Sequence, residues 1–497
     1  MSLPSPLERV DATRFLQRAT FGPRSGDVDG LIDSGVDDWL DAQMAMTPSE
    51  THLERRVRTN LSAHRGYWRG VLIEPDQLRR RVGYALSQIF VASSNDVGQS
   101  TIAHYMDLLE QHAFGTFRDL LEAVSRSQAM GEYLTFVNNR KADPRRGRVP
   151  DENYAREVMQ LFTIGLWELE PDGTRRLAGG EPIPSYEQDD IAGLARVFTG
   201  WRRPDDDTDA RYAMPMVMRE QDHEPGPKSF LGTTIPEGTL GEPSLAAALD
   251  TLAAHDNVGP FIGRQLIQRL VTSNPSPAYV QRVAAAFADN GNGVRGDLGA
   301  VVRAVLLDDE AWRADQPATF GKLREPVLRF TVVARALDIT SDADDDNWGF
   351  DNTRDSATSL GQLPFASPSV FNFYRPGYVA PQTPLSDLDL VAPEFQIVDE
   401  TSAIGWVNWL GSYLRTPRRS QAYDLAALLA LADDIPTLVR EVADRLCPDG
   451  LSTALSHVVV RNIAAVVDER NLERQALERV LGTVLLIAAS TDFLHER

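Results

Sequence analysis

Apolar residues recur at three- and four-residue spacings along nearly the whole chain, a rhythm that fits helices packed on helices and little else. In the stretch 77–93, Leu78, Val82, Ala85, Leu86, Ile89 and Phe90 fall on one side while Arg79, Arg80 and Arg81 fill the others. That spacing predicts a core-facing helix. The same pattern predicts helices over 9–20, 26–44, 101–113, 116–129, 151–164, 186–199, 244–254, 258–271, 276–289, 296–308, 321–338, 396–414, 422–430, 434–446 and 464–485. Strand signals are scarce. Leu166-Trp167-Glu168-Leu169, a Pro171-Asp172-Gly173 turn and a return from Arg175 to Leu177 predict one small β-hairpin. The expected fold class is mainly α, a large multi-helix body.

Three stretches rich in Pro, Gly or Asp interrupt the rhythm: Arg202–Pro243, Ser341–Thr353 and Leu363–Pro393. Loops of this length usually shape or cover a site. They suggest an N-terminal lobe over 1–210, a middle lobe over 211–340 and a loop-rich C-terminal lobe over 341–497, three parts that one continuous domain would also accommodate. No repeat of solenoid period appears.

Fifty basic against 71 acidic side chains give a formal charge of −21, which argues against nucleic acid as a partner. The single cysteine, Cys447, allows no internal disulfide and no thiolate metal cluster. No window is apolar enough for a membrane span, and Met1–Arg9 lacks a basic segment followed by an apolar one. The expectation for the chain as written is a cytoplasmic protein, or an exported one if a leader has been removed. Only Lys141, Lys228 and Lys322 are lysines among 50 basic residues. Retained lysines in so arginine-rich a chain point to places where a compact ammonium fits and a flat guanidinium does not.

The densest polar run inside a helical pattern is Asp151-Glu152-Asn153-Tyr154-Ala155-Arg156-Glu157. Asp151 suits a helix start. Tyr154, Val158, Leu161 and Phe162 share one face; Asn153, Arg156, Glu157 and Gln160 share the other, as a solvated surface or the wall of a cleft. Glu152 can pair with Arg156 and Asn153 with Glu157, each four residues apart. Ser185-Tyr186-Glu187-Gln188 has capping-box spacing and predicts a second helix carrying Asp190 on its flank. Further on, His223 stands between Asp222 and Glu224, neighbours expected to raise its pKa, and Lys228 follows in a Gly/Pro-constrained loop. Phe371, Phe373, Tyr374, Arg375 and Tyr378 lie in a non-periodic segment, as a platform for a sugar ring or as anchors of a loop. Trp406, Trp409, Leu410 and Tyr413 follow helical spacing and read as core.

Sharper motifs fail. There is no phosphate-binding loop, nucleophile elbow or zinc-protease helix. Gly291–Gly296 spells a dinucleotide fingerprint but follows a helix rather than a strand, so it reads as a turn. Asp342–Asn347 lacks the glycine and glutamate of a calcium loop. No cofactor is expected.

The run Asn138-Asn139-Arg140-Lys141-Ala142-Asp143-Pro144, continued by Glu152–Glu157 and Leu161–Gly165, resembles the hallmark of the bacterial family called domain of unknown function 1800. Asp190 with Phe198-Thr199-Gly200-Trp201, His223 through Lys228 to Gly232, and His255 with Phe261–Leu266 are similar to its second, third and fourth hallmarks. The resemblance implies common export and a neighbouring family of phosphatase-like appearance, hence a protein partner. It implies no reaction. The residues themselves suggest a hydrolase or lyase acting on a carbohydrate polymer or small molecule by general acid/base catalysis. In that reading Glu157, Asp190 and His223 are catalytic. Glu152, Asn153, Arg156, Lys228, Trp201, Tyr374 and Arg375 bind substrate. The alternatives are a scaffold or export partner with a structural ion network of Glu152, Arg156, Glu157 and Asp190, and a metal enzyme using Glu157, Asp190 and His223.

Overall fold

Helices follow the apolar rhythm where it is unbroken and stop where a glycine or a capping side chain intervenes. The computed structural model describes residues 6–48, 50–313, 316–317, 319–341, 348, 350, 352–417 and 421–497. Among them helices predominate, and strands occur only as short antiparallel pairs, so the fold is mainly α. The predicted helix over 26–44 divides into Asp27–Ser34 and Val36–Ala45, because Gly35 between them takes φ 81°, a left-handed region closed to most side chains. The one over 116–129 divides into Phe117–Arg126 and Gln128–Tyr133, with Ser127 capping the second. Helices His52–Thr59, Ala63–Ile73 and Thr453–Ala464 lack a predicted counterpart. The acidic run Asp342–Asn347 lies outside the described residues.

The predicted hairpin meets only in a bridge between Leu169 and Arg175, beside four short strand pairs among the described residues. β1 (Leu177–Ala178) pairs with β2 (Glu181–Pro182), and a leading segment joins them through Arg176 N–H to Glu168 O and Glu168 N–H to Ile183 O. β3 (Trp201–Arg202) pairs with β4 (Val217–Met218), and β5 (Lys228–Phe230) with β6 (Thr233–Ile235). β7 (Lys322–Leu323) pairs with β8 (His495–Glu496). The helix predicted from 321 therefore begins only at Pro326, with Lys322 and Leu323 in a strand.

The buried apolar cluster runs from Ala12 to Phe493 and continues across positions 210 and 340, where composition suggested boundaries. Its aromatic centre includes Phe330, which meets Trp68, Trp409 and Tyr413 edge-on. Trp409 and Tyr413 are buried, as their spacing predicted, and they stack with planes 8° apart.

The interior is cationic although the chain is acidic. Arg18, Arg55, Arg80, Arg81, Lys228, Arg269, Lys322, Arg324, Arg329 and Arg335 are buried, against the carboxyls of Asp76, Glu110, Glu157, Asp308, Glu325, Glu394 and Glu496. Many of the cations meet helix ends. Lys322 Nζ donates to Gln268 O and Arg269 O, and Arg81 to Arg269 O, at the C-terminus of the Val258–Leu270 helix. Arg269 donates to Gln88 O, the C-cap of Gln77–Ser87, and Arg335 to Leu72 O near the end of Ala63–Ile73. A helix ending inside the protein presents carbonyls without partners and a partial negative charge; a guanidinium or ammonium answers both.

Candidate functional site

The family-like motifs converge as a stitched set of loops. Asn138 N–H donates to Trp201 O, Gly200 N–H to Asn139 O, and Lys141 N–H to Asp222 O. Asn139 Nδ2 donates to Phe198 O and Asp151 O, and its Oδ1 accepts from Asp151 N–H at 3.0 Å. Asp151 in turn accepts from Asn153 N–H and from Thr135 Oγ1, close to its expected capping role. Asn257, next to the fourth motif, donates to Ile164 O and Trp167 O. Each polar side chain here completes a backbone group that would otherwise be left without a partner.

Glu157 is different. It ends the Asn153–Glu157 helix, whose apolar Tyr154 and Ala155 are buried, and it is itself only 9% exposed. Residues Val158–Thr163 then form a π-helical turn, where one extra residue per turn shifts the direction of later side chains. The expected bond between Asn153 and Glu157 is absent, since Asn153 Nδ2 reaches Thr135 Oγ1 instead. Glu157 Oε2 is buried with no hydrogen-bond partner. Burial raises its pKa above the ordinary glutamate value, opposed by the neighbouring Arg156. Arg156 is itself engaged with Glu152 at 3.4 Å and with Gln188 Oε1 at 3.4 Å, and Gln188 Nε2 donates to Glu152 at 2.9 Å. Tyr133 and Tyr186 lie within the field of Glu157, and the Tyr186 hydroxyl donates to Gln160 Oε1. Tyr133 also faces Ser367, whose carbonyl accepts from Ser93 Oγ and Asn95 Nδ2, so the loop around residue 367 closes one side of this neighbourhood.

Asp190 does not join it. The second helix starts at Gln188 and its capping box is Glu187 with Asp190, because Ser185 Oγ, the predicted cap, donates to Gly165 O. Asp190 Oδ2 accepts from Glu187 N–H at 2.8 Å and Oδ1 from Leu231 N–H at 2.7 Å. Leu231 has φ 47° in the two-residue turn between β5 and β6, a conformation costly for a leucine. The carboxylate pins that turn against the helix, and at Gly193 a Cβ would stand 1.7 Å from Ser229 O.

His223 and Lys228 form a third place. His223 is 3% exposed and its Nδ1 lies 2.9 Å from Thr199 O, which fixes the proton on Nδ1 and leaves the buried Nε2 without a partner. The expected upward titration is reversed: burial lowers the imidazole pKa, helped by nearby Lys228, and outweighs the Thr199 bond and Glu220 and Glu224. Lys228 is 0% exposed, donates at 3.4 Å to Gly226 O, and is held below the usual lysine value by burial. Among the described residues it has no ion pair.

Two expected binding residues are buried. Trp201 is 1% exposed beneath the guanidinium of Arg126, and Tyr374 is 2% exposed with its hydroxyl on Glu325 Oε2 at 2.9 Å, so neither offers a ring face to a ligand. From the aromatic segment, Phe371 and Arg375 remain at the surface, stacked at 4.8 Å. Cavities of up to about 650 Å³ open elsewhere; the one beside the Gln128–Tyr133 helix is lined by Gly98, Gln128, Glu132, Arg203, Asp206 and Tyr212. Glu157, Asp190 and His223 line none of the cavities described. No group of three or more His, Cys, Asp or Glu among the described residues is placed to hold a metal ion. Among the described residues no helix is long and apolar enough to cross a membrane.

Sequence reading missed the most connected carboxyl. Glu325 Oε2 accepts from Tyr84, Gln88, Gln362 and Tyr374, all buried, and beside it Lys322 pairs with Glu394 at 3.1 Å. The rarity of lysine was the signal available, since Lys322 and Lys228 are both fully buried.

Fold and site define a mainly α protein whose motif loops are fastened by backbone hydrogen bonds, with the buried Glu157 Oε2 at one place among them lacking a hydrogen-bond partner. The model of a family described as proteins of unknown function, DUF1800, matches residues 14–495, and the chain belongs to that family. No curated protein and no solved structure matches it.

Proposed function

We propose that the protein is a hydrolase or lyase acting by general acid/base catalysis, with Glu157 as the proton-transferring group. The observation that carries this reading is the state of that carboxyl: buried, raised in pKa, and with Oε2 lacking any partner, in a region where the other motif side chains complete backbone bonds. A carboxyl whose pKa is raised by burial is better able to give a proton to a leaving group and take one from water, a role typically worth about 10²–10⁴ in rate. Arg156 and Asn153 flank it and are half-exposed, placed to contact a substrate. Asp190 and His223 act in this reading as positioning residues, the first through the β5–β6 turn and the second through Thr199. A carbohydrate polymer remains the proposed substrate class, supported by the exposed Phe371 and Arg375 pair on the loop that passes Tyr133. The structural-network alternative would need Glu157 in an ion pair, and it has none among the described residues.

The test is Glu157→Gln in a turnover screen against neutral and charged polysaccharides. The expected result is loss of at least a hundredfold in kcat with the melting temperature kept or raised, since no partner is abandoned. A variant that melts several degrees lower would favour the structural role. Unchanged turnover would sink the proposal.

A further inference from the structure

In a chain of charge −21, the segment 139–149 is a local reversal: Arg140, Lys141, Arg145, Arg146 and Arg148 accompany a single acid, Asp143. The segment is stiff. Asp143 and Arg148 exchange backbone bonds at 3.0 and 3.1 Å, Asp143 Oδ1 accepts from Arg145 N–H, and Arg148 Nε donates to Lys141 O. Gly147 turns the chain at φ 65°. The base is clamped at Lys141 N–H to Asp222 O, Ala142 N–H to Glu224 Oε2, and Asn139 to Asp151. The result is a small rigid finger rather than a loose loop.

Its charges are largely unspent. Arg146 and Arg148 approach Asp143 only at 3.6 and 3.9 Å, and Arg140 approaches Asp222 at 3.9 Å, all loose pairs at exposed or half-exposed positions. Arg145 is exposed and Lys141 half-exposed, and neither has a carboxylate partner among the described residues. Val149, 76% exposed, offers an apolar contact beside them. The finger also leads into the segment of the proposed catalytic group: Asn139 holds Asp151, two residues before the Asn153–Glu157 helix, along which four steps of about 1.5 Å set Glu157 about 6 Å beyond Asn153. An anionic chain would be repelled by most of this surface and attracted here, an arrangement that concentrates and orients it.

We infer that the 139–149 finger is a subsite for an anionic polysaccharide, one bearing carboxylate or sulfate groups along its length, which it holds beside Glu157. The inference rests on the catalytic reading of Glu157 and names its substrate class. An acidic protein would meet the same charges, but five cations carried on one stiff backbone segment that leads into the Glu157 helix suit a repeating anionic glycan better.

The experiment measures binding of polygalacturonate, dextran sulfate, neutral dextran and poly-glutamate by affinity electrophoresis across a salt series. The wild type should bind polygalacturonate or dextran sulfate, more weakly as salt rises, and leave neutral dextran unbound. Arg145→Ser with Arg146→Ser should weaken that binding at least tenfold with the melting temperature unchanged, and Arg145→Glu with Arg146→Glu should abolish it. Equal binding by wild type and double variants overturns the inference, as does tighter binding of poly-glutamate than of either glycan. Glu157→Gln separates the two readings: it should bind the anionic glycan like wild type, and if it also retains turnover, the catalytic reading fails while the finger stands.

Discussion

Replacing Lys322 by methionine removes the ammonium but keeps most of the volume of its stem. The residue is 2% exposed and its nitrogen serves three groups: Glu394 at 3.1 Å, Arg269 O at 2.8 Å and Gln268 O at 3.2 Å. Glu394 is 1% exposed; Lys322 holds its Oε1, and its Oε2 has no hydrogen-bond partner. Breaking a buried pair from one side costs about 3–5 kcal/mol, because a charge stays behind without compensation. Unfolding entropy of about 2.1 cal/mol/K per residue, over 497 residues, gives about 1 kcal/mol per kelvin, so a cooperative transition should fall by roughly 4 °C. The dependence on pH has a definite sign. Burial already raises the Glu394 pKa in the folded state while Lys322 lowers it, so losing Lys322 raises it further. A carboxyl whose folded pKa lies above its unfolded one destabilises the fold when ionised and ceases to do so as pH falls and it takes up a proton. The gap between Lys322→Met and wild type should therefore be widest near pH 8 and narrow towards pH 5 in scanning calorimetry. Adding Glu394→Met should restore most of the loss, since a well-packed apolar pair can replace a buried ionic one. A single variant that melts within a degree of wild type at pH 8, or a double variant no better than the single, would refute the reasoning.

Two further outcomes follow from the motif region. Because burial lowers the His223 pKa, the neutral ring contributes stability above its unfolded value of about 6.5, lost as pH falls below that; an imidazole NMR titration assigned through His223→Gln should give a midpoint below that value, and a midpoint above it would show that burial does not outweigh the Thr199 bond and the nearby acids. Gly193→Ala would place a methyl 1.7 Å from Ser229 O and force the Gln188–Ala195 helix away from β5, at a cost of about 1–3 kcal/mol, with faster proteolysis in 225–240; an unchanged digestion pattern would show that the contact is not tight.

Periodicity made the helical class legible because helix faces are local; the helix predicted over 77–93 buries its apolar side, but it ends at Ser87 and buries Arg80 and Arg81 on its other faces as well. Breaks were harder. Ser185-Tyr186-Glu187-Gln188 has the spacing of a capping box, yet Ser185 is taken by Gly165 O twenty residues away, and the helix begins two residues later on the Glu187 and Asp190 pair. The His223 error has the same origin: its sequence neighbours are acids, but its environment is a buried Thr199 carbonyl and Lys228. The Glu325 cluster was illegible because Tyr84 and Gln362 approach it from 241 and 37 positions away. Lysine scarcity pointed to two buried positions that pattern did not, Lys228 and Lys322, while the third, Lys141, is half-exposed.

The rival structural reading explains a great deal of this site, and its reach defines what is left. Asn139, Asp151, Ser185, Asp190, His223 and Asn257 each complete backbone groups, so their presence in motifs follows from fastening six segments of irregular chain together. Irregular chain held in the interior needs such partners, because an unpaired amide or carbonyl there costs about 1–3 kcal/mol. Glu157 completes nothing. A glutamine or methionine would fill its position at less cost, since ionising a buried carboxyl without a partner opposes folding. In the proposed reading, a residue that lowers stability and fastens nothing serves chemistry performed on something outside the chain, and the stiff basic finger clamped through Asn139 to Asp151 would set the charge of that something.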